Sequence, residues 1–221
     1  MKKQTILITG ASSGIEVEIA RYFLKEGDNV VLNLPTAEKS IQAFRELGGG
    51  ENLAMAVGTA IDRITGIKLL ATAVAKFGSI DVLINSASDL SSRPFFHIDE
   101  AYFDRFIDAN LKGAFFITQG IIPQMLKQGN GTVINIDTSL ISHSRRTDES
   151  SKIFLPRGII HSLTLQLAAE FADSNIKFHT ITPEQNGDRN TGQVLSKGFN
   201  KFEIIAQMAY DAAKGNFNGP F

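Results

Sequence analysis

Six short stretches of this chain are rich in Ile, Val and Leu on both faces, and a longer helical pattern follows each one. The apolar runs lie at residues 5–9, 29–34, 53–57, 80–85, 131–137 and 176–181 and are built largely from Ile, Val and Leu. A strand with one wet face alternates apolar and polar residues. A run that is apolar on both faces belongs in a parallel sheet covered on both sides. The stretches between, at 14–25, 37–47, 61–76, 100–127, 159–172 and 201–213, supply the covering helices. Repeated β-α alternation brings right-handed crossovers, so the expected fold is α/β: one doubly wound parallel sheet of six to seven strands, with helices on both faces. One domain over 1–221 is expected, because no repeat, low-complexity tract or linker interrupts the pattern. Residues 138–158 are polar and poorly patterned, and read as a loop over the strand ends. A seventh strand near "NFNGPF" would be short.

Composition narrows the chemistry. The net charge is −1, which leaves no basic footprint for nucleic acid or anionic membrane. There is no cysteine, so disulfides, thiolate catalysis and cysteine-bound metals are excluded. The opening "MKKQTILITG" has too short an apolar core for a signal peptide. No apolar run approaches the ~20 residues of a membrane helix. A cytoplasmic protein is expected. His97, His143, His161 and His179 show no metal-ligand spacing, and no metal site is expected.

The stretch "TGASSGIEVEIA", residues 9–20, joins the first strand to the first helix. A glycine-rich turn in this place lets the backbone approach a pyrophosphate while helix N-terminal N–H groups face the anion. Gly10, Ser12, Ser13, Gly14 and Ile15 carry that pattern, but Glu16 stands where a third glycine belongs. A carboxylate facing the phosphates would add repulsion on the order of a few kcal/mol at an effective dielectric near 20. Turned out to water on the first helical turn, the same carboxylate would be favourable. Both placements are open.

The order of motifs resembles the short-chain dehydrogenase/reductase family along essentially the whole chain. "ILITGASSGI" is similar to its first strand and cofactor turn, and "FGSIDVLINSAS" to its fourth strand with the Asn-Asn-Ala-Gly motif. "DANLKGAFF" resembles the helix with the catalytic asparagine, and "GTVINIDTS" the strand ending in the catalytic serine. "HSLTLQLAAEF" and "IKFHTITPE" resemble the following helix and the strand with its Pro-Gly turn. The resemblance implies a Rossmann-type sheet and NAD(P)-dependent hydride transfer to a carbonyl or from an alcohol. In that mechanism a tyrosine passes the proton, a lysine lowers its pKa, a serine holds the substrate oxygen and an asparagine maintains the proton path.

Carried over position by position, the resemblance is incomplete. Asn110 matches the asparagine, and Thr138 or Ser139 the serine. The only tyrosines are Tyr22, Tyr102 and Tyr210, so nothing between 103 and 209 supplies the phenol. One frame places Asp148 and Lys152 at the tyrosine and lysine positions, and the other places Ile153 and Arg157 there. Asp148 with Lys152 reads equally as a surface i,i+4 ion pair. The ribose-selecting positions after the second strand are Leu34 and Pro35, where neither acid nor base is available, with Asn33 a weaker neutral substitute. Thr59 takes the adenine-clamping position, and Asp62 reads as a helix cap. Asn85 keeps the first Asn of its motif, while Ser86 and Ser88 replace the second Asn and the Gly. Glu184 replaces the glycine of the turn that lines the nicotinamide pocket in the family.

Glu16, Leu34, Thr59 and Glu184 argue against cofactor binding, and no cofactor is expected. The leading expectation is a non-catalytic scaffold or partner subunit. It would form homo-oligomers, or hetero-oligomers with an active relative, through helices 100–127 and 159–172. One alternative is an atypical NAD(P)-dependent oxidoreductase acting on a carbonyl or alcohol, with NAD or NADP as cofactor. Another is a module that binds a different small molecule in the cleft.

Overall fold

The computed structural model describes residues 3–10, 14–61, 63–86, 93, 95–136, 156–182 and 201–217, with the side chains at 95, 156, 157 and 201 outside that description. Six parallel strands form one sheet in the order β3-β2-β1-β4-β5-β6. They are β1 Thr5–Thr9, β2 Asn29–Leu34, β3 Leu53–Val57, β4 Val82–Asn85, β5 Gly131–Ile136 and β6 Ile176–Ile181. The helices are α1 Gly14–Lys25, α2 Ala37–Glu46, α3 Arg63–Phe77, α4 Glu100–Ile107, α5 Gly113–Gln128, α6 Pro156–Glu170 and α7 Lys201–Ala213.

The pleat divides the core in two. Ile6 and Ile8 of β1 point to one face, where Ile19 and Phe23 of α1 and Ile205 and Ala209 of α7 bury against them. Leu7 points to the other face and meets Leu69 of α3 and Ile117 and Ile121 of α5. Both layers are dry because every residue of β1 is at most 1% exposed, as a central parallel strand requires. The strand order reverses at β1, which pairs with β2 on one side and β4 on the other. Ligands of such sheets bind beyond the carboxyl ends of the strands at this switch point.

The stretch 100–127, read from sequence as one helix, is three pieces. A π turn at Asp108–Lys112 separates α4 from α5, and Asn110 lies inside it. Gly113 begins α5 where the helix presses on the segment before α3. A Cβ built at Gly113 would stand 2.1 Å from the carbonyl oxygen of Ala60. Close backbone contact fixes the bulge against its neighbour, and only glycine fits. Helix α6 starts at Pro156, three residues before the sequence-based boundary at 159. Proline is well suited to a first helical position, where no N–H is needed.

At the N-terminal ends of the strands, Asp28 ties three segments together. It accepts from the Gln4 backbone N at 2.8 Å and from Lys214 Nζ at 2.9 Å. On β6, the His179 ring meets Phe217 edge-on with centroids 5.8 Å apart. Its Nε2 is buried and has no hydrogen-bond partner among the described residues. Burial first, and Lys177 second, lower its pKa from the ordinary histidine value. The unfolded chain therefore binds this proton more readily than the folded one. Stability contributed by neutral His179 is full above the unfolded histidine pKa, and is lost as pH falls from there through the folded value.

Two outcomes are expected. Gly113→Ala lowers stability by about 2–3 kcal/mol through overpacking, read as a fall in Tm of roughly 5–10 °C. His179→Phe flattens the decline in thermal stability between about pH 7 and pH 5, because the residue that titrates against the fold in that range is gone.

Candidate functional site

The site is built at the carboxyl ends of the strands, where each chain exit needs partners for its polar groups. Gly10 leaves β1 with φ 75°, a left-handed conformation suited to glycine. Beside it, Asn33 is 1% exposed. Its Oδ1 accepts from the Gly10 N–H at 3.4 Å, and its Nδ2 donates to the carbonyls of Ala56 at 3.2 Å and Gly58 at 2.9 Å. The amide thus braces the ends of β1, β2 and β3. Besides the neutral ribose contact expected from sequence, Asn33 thus has a structural role, because both ends of its amide bond the backbone. Leu34 is buried in the core beneath the sheet end, Pro35 is half-buried and Thr59 is exposed. None of the three offers a charge to a ribose or adenine.

Glu16 neither turns out to water nor stands free at the mouth of the turn. It is 2% exposed, and its Oε1 accepts from Ser86 Oγ at 2.7 Å. Ser86 follows the last residue of β4, and its backbone N donates to Thr9 Oγ1 at 3.3 Å. Thr9 and Asn85 are partners in the β1–β4 register. The carboxylate therefore folds down onto the β1–β4 junction, held by a hydroxyl from the motif that sequence reading treated as a separate loss. Ile15 packs its side chain into the core. The N–H groups of the first turn of α1 remain at the carboxyl edge of β1, where a helix N-terminus favours an anion. Ser12 and Ser13 lie outside the described residues.

A buried polar ladder crosses the other half of the sheet. Asn85 Nδ2 donates to Thr118 Oγ1 at 3.0 Å and Asn135 Oδ1 at 2.9 Å. Asn135 Nδ2 donates to Thr164 Oγ1 at 2.8 Å, and Thr180 Oγ1 lies 3.0 Å from the same hydroxyl. Thr164 Oγ1 donates to the Ile160 carbonyl at 2.8 Å. Sequence reading found Asn85 but missed Thr118, Asn135, Thr164 and Thr180. The available signal was one Asn inside the otherwise apolar "TVINI", because a polar residue at a fully buried strand position needs designated partners.

Asn110 is 7% exposed within the π turn, and its Nδ2 donates to the Phe106 carbonyl at 2.8 Å. Single π turns occur often at functional sites. Thr138 and Ser139, just past the end of β5, lie outside the described residues. So do Asp148, Lys152, Ile153, Glu184 and Asp62, and the Arg157 side chain. The three tyrosines are far from the β5–α6 connection in the chain. Tyr22 and Tyr210 pack together between α1 and α7, centroids 5.2 Å apart. Tyr102 is buried in α4 against Phe106, with the Arg93 guanidinium 4.5 Å from its ring centroid. Burial first, and then Glu26, raise the pKa values of Tyr22 and Tyr210. That is opposite to the shift of a phenol activated by a lysine. Among the described residues no cluster of His, Asp and Glu suits a metal. No described helix is long and apolar enough to cross a membrane.

The short chain dehydrogenase profile matches residues 4–185. The chain belongs to the short-chain dehydrogenase/reductase family. It is 32% identical over 184 residues to 3-oxoacyl-[acyl-carrier-protein] reductase FabG of Staphylococcus epidermidis, covering 81% of this chain and 74% of that protein. The structure of serine dehydrogenase from Escherichia coli matches with a TM-score of 0.75 at 22% identity, covering 97% of this chain and 95% of that one. The structure titled "ElxO with NADP Bound" matches with a TM-score of 0.71 at 26% identity, over 83% and 74%. The sequence from 103 to 209 contains no tyrosine.

The Asn33 brace generates a graded expectation. Asn33→Ala strands one N–H and two carbonyls, at a cost of about 2–3 kcal/mol. Asn33→Asp is the more damaging change, because it sets carboxylate lone pairs against the Ala56 and Gly58 carbonyls. Thermal unfolding of the two variants side by side checks this order. Equal or reversed melting temperatures would show that the brace does not act as described.

Proposed function

We propose that the chain is an atypical NAD(P)-dependent oxidoreductase that binds its dinucleotide across the β1–β4 switch point. The observation that carries the reading is the inward placement of Glu16 on Ser86. Of the two carboxylates among the grounds for expecting no cofactor, Glu16 is the one at the phosphate turn, and it is buried and hydrogen-bonded. The residues fit a dinucleotide on the phosphate side. Gly10 has the required left-handed turn, and the first-turn N–H groups of α1, with Ser12 and Ser13, would hold the pyrophosphate. The nicotinamide, when bound, supplies a hydride. The chain's own residues would orient the substrate oxygen through Thr138 or Ser139, with Asn110 maintaining a proton path to solvent. The names of the relatives, FabG and the NADP-bound ElxO among them, support NAD or NADP and a carbonyl or alcohol substrate.

A missing phenol limits the rate and leaves binding largely intact. A positioned general acid contributes roughly 10²–10⁴-fold, so turnover of a carbonyl substrate is expected to be lower by about that factor than in a tyrosine-bearing relative. Titration with NADH and NADPH, followed by fluorescence and calorimetry, tests the reading. Saturable binding below about 1 mM, near −4 kcal/mol or tighter, is expected for one of the two. Failure of both to bind would leave the second reading.

That second reading is a non-catalytic scaffold or partner subunit, and the absent tyrosine favours it. Phe103 of α4, Phe115 of α5 and Leu165 of α6 are exposed. A groove of about 470 Å³ between the π turn and α6 is lined by Leu111, Gly158, Ile159, Ser162, Leu163 and Gln166. Either reading is compatible with self-association through these helices, and light scattering at tens of micromolar is expected to show a dimer or tetramer.

A further inference from the structure

The positions of Glu16 and Ser86 are those at which the resembling motifs carry glycine and asparagine. Taken along the sequence they are two unconnected losses, 70 residues apart. In space they are one contact. The side chain gained at position 16 and the side chain shortened at position 86 meet at 2.7 Å, and both are at most 2% exposed. A buried carboxylate is costly unless donors satisfy it. A longer amide at 86 would compete for the volume that the carboxylate occupies. Ser86 both leaves that space and fills it with a donor. Its own position is fixed, because its backbone N is held by Thr9 across the β1–β4 register.

We propose that Glu16 and Ser86 act as one coupled unit, in which Ser86 is a positioning residue that keeps the Glu16 carboxylate folded onto the end of β4 and so lets the adjoining turn accept an anionic dinucleotide. This rests on the dinucleotide reading for its affinity consequences, but not for the coupling itself. Released from the Ser86 hydroxyl, the carboxylate would be able to turn toward a pyrophosphate held at the N-terminus of α1, and repulsion would follow. Residues 9–20 contain no Lys or Arg. The pair therefore links a motif on α1 to a motif on β4 through charge, and predicts that substituting either residue has its full effect only while the other residue is intact.

The test is a double-mutant cycle of wild type, Ser86→Ala, Glu16→Gly and the double variant, with Ser86→Thr as the variant that keeps the hydroxyl. Each is unfolded thermally without ligand and then titrated with NADH, NADPH and uncharged adenosine. Ser86→Ala is expected to lower Tm by roughly 3–6 °C and to weaken dinucleotide binding about tenfold, the scale of one charge-assisted hydrogen bond, with adenosine binding unchanged. Ser86→Thr retains both properties. In the Glu16→Gly background, Ser86→Ala changes dinucleotide affinity by less than about twofold, because the charge it controls is gone. Equal effects of Ser86→Ala in both backgrounds overturn the proposal, as does an equal loss of adenosine and dinucleotide binding. Coupling in Tm with no dinucleotide bound by any of the proteins overturns the role toward the cofactor and the dinucleotide reading together. Additive Tm values with normal dinucleotide binding overturn the pair alone.

Discussion

A parallel sheet buried on both faces has one unavoidable difficulty: its strands end inside the protein, and their last polar groups must find partners there. This chain meets that requirement with the last or next-to-last residues of its strands. Thr9 ends β1, Asn33 lies next to the end of β2, Asn85 ends β4, Asn135 lies next to the end of β5, and Thr180 next to the end of β6. Each has a hydrogen bond to a neighbouring element. Small amides and hydroxyls suit the task because they donate and accept over short reach. The carboxyl edge of the sheet is consequently polar and cross-linked, although the buried Asn85 Oδ1 has no hydrogen-bond partner among the described residues. The turns that form the cleft are mounted on it.

The architecture was legible because its signals are local and repeated. Runs such as "TILIT" and "NVVLNL" are apolar on both faces, and they became β1 and β2 with the boundaries read from sequence. Helices α1 and α7 likewise kept their bounds. The break at Asp108–Lys112 was not legible from periodicity. The apolar pattern runs through it, and the cause is tertiary: Gly113 must approach the Ala60 carbonyl more closely than any Cβ permits. Asn110, by contrast, was found by motif, and the π turn around it accounts for its burial. For Asn33 the structural role was not legible. The sequence shows an amide at the end of a strand, but the direction of that amide depends on β3, which pairs with β2 only after folding.

Glu16 shows the same limit more sharply. A charge at a glycine position has a large effect in a Coulomb estimate, and sequence alone offers two destinations for it, the phosphate or the solvent. The third destination, a hydroxyl at the end of β4, exists only because β1 and β4 are neighbours, and Glu16 and Ser86, 70 positions apart in the chain, cannot announce the contact locally. Counting degraded motif positions treats each as an independent observation. Two that touch constitute one event, so the number of independent departures in the cleft is smaller than the sequence count.

The absent tyrosine stands apart from these departures. The strand-end amides and hydroxyls contribute to stability whether or not a ligand binds, since removing any of them strands buried donors or acceptors. No tyrosine from the β5–α6 connection takes part in these networks, because the sequence from 103 to 209 contains none. On the proposed reading, dinucleotide recognition would depend on this edge, as folding does, whereas proton transfer would depend on a single side chain. A chain can therefore keep the edge intact while its reaction slows by the whole contribution of a general acid. The opposite loss, an edge amide removed with the phenol kept, would weaken the fold before the chemistry was tested. That asymmetry allows an ordered sheet, a buried polar ladder and a π turn around Asn110 to coexist with a sequence that has no tyrosine between 103 and 209.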